Sequence, residues 1–310
     1  MKIAVVQTAW QPEASHNLEH VLQRLEQSCK GRTLDLVCLP EFFLGPAWYM
    51  PGQGALQGVT DTPVPGPLYE RLGEWARRHR VYLLCGSVVE RMDDGRYCNT
   101  AVLLGRDGEM VGRAHKIHPF ANEAVSCQGG SSICALDTEF GKIGIAVCSD
   151  FWVPETLRLL TLQGAHTLFV PGGSLRQNLP AMVNALVSAA YLNVCNLVYC
   201  SPVGRLVGMR GGQTITVEFA GTSLVAAPQG LLVQAPPDVE TALYAQLQTE
   251  AVLELRQPST EHEYWQGVSL RAPQAYGALL QDYVGLTRDL RAEIAQRMRQ
   301  TTPASGTPTS

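Results

Sequence analysis

Lys142-Ile143-Gly144-Ile145-Ala146-Val147-Cys148 reads as a buried strand, and it repeats in mid-chain the pattern of Lys2-Ile3-Ala4-Val5-Val6-Gln7 at the N-terminus. Each is a lysine followed by small and β-branched apolar residues, the composition of a strand covered on both faces. The segments downstream of the two copies are also alike. After the first come a helical segment over 16–30, with Leu18, Val21, Leu22 and Leu25 at helical spacing, an apolar strand over 34–39, a helix over 68–79 and a strand over 81–89. A hairpin over 99–104 and 109–116, turning at Arg106-Asp107-Gly108, completes the unit. After the second come a helix over 154–163 closing at Gly164, a strand over 167–170, a helix over 179–192 and a strand over 194–201. A hairpin over 221–226 and 231–235 turns at Pro228-Gln229-Gly230. The order strand, helix, strand, helix, strand, strand therefore occurs twice. Two similar sheets, each needing cover on both faces, predict an α/β four-layer α-β-β-α sandwich in which the halves share one core.

Residues 1–280 are expected to form one domain. The stretch 251–256 reads as one more strand. A C-terminal helix is expected over 281–300, where Leu286, Leu290, Ile294 and Met298 recur every four residues, and a disordered Thr/Pro/Ser/Gly tail over 301–310.

Hydrophobic residues make up 45% of the 310-residue chain and charged residues 17%, enough apolar material for a sizeable core. A net charge of −4 offers no basic field for nucleic acid. No apolar run reaches the roughly 18 residues of a membrane span, and the N-terminus reads as a strand rather than a secretory signal. The nine cysteines are odd in number and form no C-x-x-C pair. Cys38, Cys85, Cys134, Cys195 and Cys200 sit in apolar runs, as buried reduced thiols of a cytoplasmic protein do.

Three reactive side chains stand at expected strand ends, where the working residues of open α/β sheets gather. Glu41 follows Leu36-Val37-Cys38-Leu39-Pro40, Lys116 follows the second hairpin strand, and Cys148 ends the mid-chain strand before a polar pair. A carboxylate, an ammonium and a thiol suffice to attack an amide-like carbon. The thiolate is the reactive form, the carboxylate takes its proton, and the ammonium meets charge developing on the substrate. Each has a structural alternative: a loop carboxylate, a solvated strand-end lysine, a small core thiol. A Cys–His pairing with His115, His118 or His166 is the rival chemistry, although nothing in the sequence aims one of them at Cys148. His115-x-x-His118 lacks the helical context and cysteine pair of a metal site.

Leu39-Pro40-Glu41-Phe42-Phe43, His115-Lys116-Ile117-His118-Pro119-Phe120 and Cys148-Ser149-Asp150-Phe151-Trp152-Val153-Pro154-Glu155, in this order, resemble the nitrilase superfamily of carbon–nitrogen hydrolases. The resemblance continues through Arg158, Gly164-Ala165, Phe169-Val170-Pro171 and Phe219-Ala220-Gly221-Thr222-Ser223, and covers about residues 1–235. It implies the same sandwich. It implies Glu41 as general base, Lys116 as oxyanion-stabilising cation, Cys148 as nucleophile and the Ser149 N–H as oxyanion donor. Glu123, seven residues after Lys116, matches a second family glutamate that positions the lysine and the leaving group. Phe120 and Trp152, with Trp48 and Tyr49, are candidate pocket walls. The activity implied is amide or N-carbamoyl hydrolysis through a thioester, on a small molecule, with no metal or organic cofactor, in at least a homodimer. Nitrile cleavage and acyl transfer to an amine are the alternatives, and a non-catalytic scaffold is a third. Ser149-Asp150 departs from the Trp-Glu usual in the nitrile-cleaving branch, whereas the seven-residue step to Glu123 resembles it. Ala189-Ala190-Tyr191-Leu192-Asn193 lacks the arginine and glutamate of a frequent Arg-Ala-x-Glu-Asn segment, and Ser201 stands where many members carry asparagine.

Overall fold

The computed structural model describes residues 1–11, 14–45, 62–120, 123–173, 175–210 and 213–269. The first half contains β1 (Lys2–Gln7), α1 (Asn17–Cys29), β2 (Leu36–Cys38), α2 (Pro67–His79), β3 (Tyr82–Arg91), β4 (Tyr97–Leu104) and β5 (Met110–His115). A short α3 (Glu123–Ser126) and β6 (Leu136–Thr138) lead to β7 (Gly141–Ile145), α4 (Pro154–Leu162), β8 (Thr167–Pro171), α5 (Ala181–Asn193) and β9 (Asn196–Cys200). Then come β10 (Val203–Arg210), β11 (Gln213–Ala220), β12 (Leu224–Ala227), β13 (Gly230–Gln234), β14 (Thr241–Gln246), α6 (Thr249–Leu255) and α7 (Tyr264–Ser269).

The repeat read from sequence is the architecture. One six-stranded sheet has the order β14-β1-β2-β3-β4-β5 and the other β13-β12-β9-β8-β7-β6. In each, three strands run parallel, β1-β2-β3 and β7-β8-β9, and every flanking strand pairs antiparallel with its neighbour. Ile3, Val5, Cys38, Leu84 and Leu103 of one sheet pack with Ile143, Ile145, Phe169, Val198 and Val225 of the other in a single buried layer. Outside the first sheet, Val21 and Leu25 of α1 and Leu72, Trp75 and Ala76 of α2 cover Ala4, Val37 and Leu83. Outside the second, Leu157 and Leu160 of α4 and Met182 and Leu186 of α5 cover Leu168 and Leu197. The result is α-β-β-α.

The structure corrects two readings. The stretch expected as a strand over 251–256 is helix α6, and the added strand is β14, antiparallel to β1. Short apolar runs fit either state. Here Thr249 and Glu250 open a helix of which only Val252 is buried, while Arg256 beyond it donates to the carbonyls of Val194 and Ala165. Cys134, expected in a buried run, is exposed. The β10–β11 hairpin was not anticipated. The helix expected over 281–300 and the tail lie outside the described residues.

Candidate active site

Topology gathers the reactive residues at one edge. Glu41 lies just past β2, and Cys148 and Gly173 lie just past β7 and β8. Because β4 is antiparallel to β3, and β5 to β4, β5 runs in the direction of β3 and delivers Lys116 to the same edge. Asn99, near the start of β4, is opposite in strand direction and so ends up beside it. The Lys116 N–H donates to the Asn99 carbonyl at 2.8 Å. Gly86 allows the approach of the Glu41 loop: a Cβ there would sit 1.8 Å from the Pro40 carbonyl oxygen.

Lys116 is 1% exposed, an extreme position for an ammonium, and it is paired on two sides. Its Nζ donates to Glu41 Oε1 at 2.8 Å and to Glu123 Oε2 at 2.6 Å. Asn99 Nδ2 closes the square, donating to Glu41 Oε1 at 3.0 Å and to Glu123 Oε1 at 2.7 Å. The Asn99 Oδ1 is buried with no partner among the described residues, so the two glutamates fix which end of the amide faces them. The Phe120 N–H also donates to Glu123 Oε2, at 3.0 Å. Sequence reasoning identified the three charged members and missed Asn99. The visible signal was a polar pair, Asn99-Thr100, opening the apolar run Ala101-Val102-Leu103-Leu104.

Cys148 stands in a one-turn helix over Cys148–Trp152, three residues beyond where β7 ends, with φ of +49°. A left-handed backbone at a residue with a Cβ costs of order 1 kcal/mol and persists only where its surroundings enforce it. Asp150 supplies the enforcement. Its buried carboxylate accepts from the backbone N–H of Val147 at 3.0 Å, Ile117 at 3.0 Å and His118 at 2.9 Å, and its Oδ1 lies 2.9 Å from His118 Nδ1. The Ser149 hydroxyl donates to the His118 carbonyl at 2.6 Å. The cysteine turn is thereby laced to the segment that follows Lys116. Asp150, noted in sequence only as part of a motif, is the knot. His115 pairs with Glu90 and the buried His166 with Thr167, so the histidines of the rival reading have partners of their own.

The electrostatics follow from burial. Burial opposes the Lys116 ammonium, but the charges of Cys148, Glu41 and Glu123 outweigh it and hold its pKa well above the ordinary value. Burial raises the Glu123 carboxyl above its ordinary value, with Lys116 pulling against it and Glu41 adding to it. Burial also pushes the Cys148 thiol up, Glu41 pushes it further, and Lys116 and the Gly173 backbone N–H oppose them. Burial therefore favours the neutral thiol at Cys148.

These residues line one cleft. Glu41, Lys116, Glu123, Cys148 and Ser149 are at its base, and Phe120 and Trp152, both expected there, are at its rim. The two rings are 43% and 50% exposed and meet edge to face with centroids 5.1 Å apart. Trp48 and Tyr49 lie outside the described residues.

Known proteins resemble the chain throughout this architecture. Omega-amidase NIT2 of Xenopus tropicalis is 27% identical over 267 residues, covering 83% of this chain and 91% of that protein. The crystal structure of a carbon-nitrogen hydrolase from Helicobacter pylori G27 superposes with a TM-score of 0.76 at 25% identity, covering 90% of this chain and 98% of that one. A mutant of the amidase from Nesterenkonia sp. AN1, with the acetamide moiety of fluoroacetamide covalently added at its active-site cysteine, shares the fold with a TM-score of 0.67 at 22% identity, covering 82% of this chain and 93% of that one. Residues 2–257 match the family description of carbon-nitrogen hydrolase, and the chain belongs to that family.

Proposed function

We propose that this carbon–nitrogen hydrolase cleaves a carboxamide through a thioester on Cys148, with Glu41 as the base. The observation that carries the reading is the buried Lys116 held 2.8 Å from Glu41 and 2.6 Å from Glu123 in the cleft that Cys148 lines. Its similarity to omega-amidase NIT2 favours an amide over a nitrile as the group attacked.

Glu41 takes the Cys148 proton as sulfur bonds to the carbonyl carbon. Burial and the Glu41 charge keep the thiol protonated until then, so the nucleophile is generated only in step with attack. The oxyanion is met by the Lys116 ammonium, two of whose three N–H bonds are already on glutamates, and by the Ser149 N–H. The intermediate collapses, the proton held by Glu41 passes to nitrogen, and ammonia leaves. Water then gives a proton to Glu41 and attacks the thioester, and the thiol recovers its proton as the carboxylic acid departs. One amide and one water become one acid and one ammonia. Glu123 holds Lys116 in place from the side opposite Glu41.

The working form we propose is a cytoplasmic homodimer or larger homo-oligomer. Leu159 and Leu162 of α4 and Tyr191 and Leu192 of α5, between 44% and 56% exposed, support an association face, and sedimentation equilibrium tests it. Catalysis is tested by ammonia release from primary amides, N-carbamoyl compounds and nitriles. The expected result is release from amides, abolished in Cys148→Ala. Activity that survives in Cys148→Ala, or that is confined to nitriles, contradicts the reading.

A further inference from the structure

Among the described residues, the cleft leading to Cys148 contains no cation to spare. Among the described residues that line it, the charged side chains are Glu41, Glu123 and Lys116. Lys116 is engaged by both carboxylates. With both carboxylates ionised this group sums to −1, and with one proton shared between them it sums to 0. At neither level is there positive charge for a second anionic group. Arg176, next to the lining residue Leu175, is held by Glu218 at 3.0 Å and by Asp238.

The walls above the reacting groups present carbon. Trp10, Phe42, Phe120, Trp152, Leu175 and Phe219 line them. The polar side chains that remain in the lining, the Trp152 indole N–H and the Asn178 amide, are neutral, and others are committed inside the protein. The Trp10 Nε1–H donates to the Phe42 carbonyl at 2.7 Å, and the Ser149 hydroxyl to His118. Trp10 meets Phe219 edge to face, with centroids 4.8 Å apart. A carboxylate carried into such a cleft would give up its water with no cation among the described lining residues to replace it, whereas an alkyl or aryl chain would gain by the same burial.

Resting on the amide-hydrolase reading, we infer that the substrate is the primary amide of an uncharged, predominantly apolar acyl group, and not the monoamide of a dicarboxylic acid. The comparison that tests this uses the full chain and pairs matched in length: butanamide against succinamate, and hexanamide against adipamate. The expected kcat/KM is higher for the neutral member of each pair by at least about 30-fold, and more for the longer pair, whose chain reaches the aromatic walls. Trp152→Arg, which adds a cation at the half-exposed rim, is expected to narrow that ratio at least about tenfold, through a higher kcat/KM for adipamate. Equal or better cleavage of succinamate or adipamate overturns the inference and leaves the amide-hydrolase reading standing. So does a ratio that Trp152→Arg does not move. Cleavage of neither member of either pair removes the amide reading and this inference together.

Discussion

At the scale of single residues, the proposed mechanism sets a buried thiol beside the carboxylate that would deprotonate it. The Glu41 charge raises the Cys148 pKa, so the two roles of that carboxylate separate on substitution. In Glu41→Gln the thiol should titrate at lower pH, read from thiolate ultraviolet absorbance. Amide hydrolysis should nevertheless fall by about 10³-fold, because proton transfer is lost. A titration that moves upward, or activity within about tenfold of wild type, contradicts the assignment. Asn99 acts one step back, by giving an N–H to each glutamate. Asn99→Ala should lower kcat by about 10- to 100-fold with KM little changed. The acidic limb of the rate profile should move to higher pH, since ionised carboxylates lose two donors. An unmoved limb would make Asn99 a packing residue only. Glu41, Lys116 and Cys148 were legible in sequence because charge and thiol at strand ends are conspicuous, and Glu123 only through the family resemblance. Asn99 was not, because its role depends on β4 and β5 lying side by side, which no local pattern states.

At the scale of elements, the strands that present Asn99 and Lys116 are tied together on their other face by Glu90 of β3. Its carboxylate, 3% exposed, accepts from Thr100 of β4 at 2.7 Å and from Arg113 of β5 at 2.6 Å, and lies 3.1 Å from His115 Nε2 of the same strand. Burial alone would raise its pKa, but the hydrogen bonds of His115 and Thr100 and the Arg113 charge hold it below its ordinary value of 4.5. A carboxylate so lowered stabilises the fold above its unfolded-state pKa, and that contribution is lost as pH falls through the native value. Glu90→Gln should therefore destabilise the protein by about 1–3 kcal/mol at neutral pH. The difference from wild type should shrink as pH falls below 4.5. Urea unfolding across that range checks it, and a pH-independent gap contradicts it. Element boundaries show the limits of sequence reading. Strand β7 ends at Ile145 rather than Cys148, because Asp150 captures the Val147 N–H and turns the chain early. The α6 segment reads as strand or helix with equal ease until Arg256 is seen reaching the carbonyls of Val194 and Ala165.

At the scale of the whole molecule, duplication makes the site. The first copy brings Glu41, Lys116 and Asn99 to the edge of its sheet, the second brings Cys148 and Gly173 to the edge of the other, and Glu123 sits in the connection between them. The sandwich holds the two edges against each other through one buried layer, so neither half carries the chemistry alone. This much was readable from the repeat, since period and polarity recur in both copies. The β10–β11 hairpin has no counterpart among the described residues of the first copy, which left repeat logic nothing to match. The claim that a thiol from one half is acylated under the control of a carboxylate from the other has a direct measurement: rapid-quench peptide mass spectrometry of the enzyme turning over hexanamide. The account predicts an acyl mass on the Cys148 peptide within the first turnover in wild type, and none in Cys148→Ala or Glu41→Gln. An adduct on another residue, or steady turnover with Cys148 replaced, would contradict it.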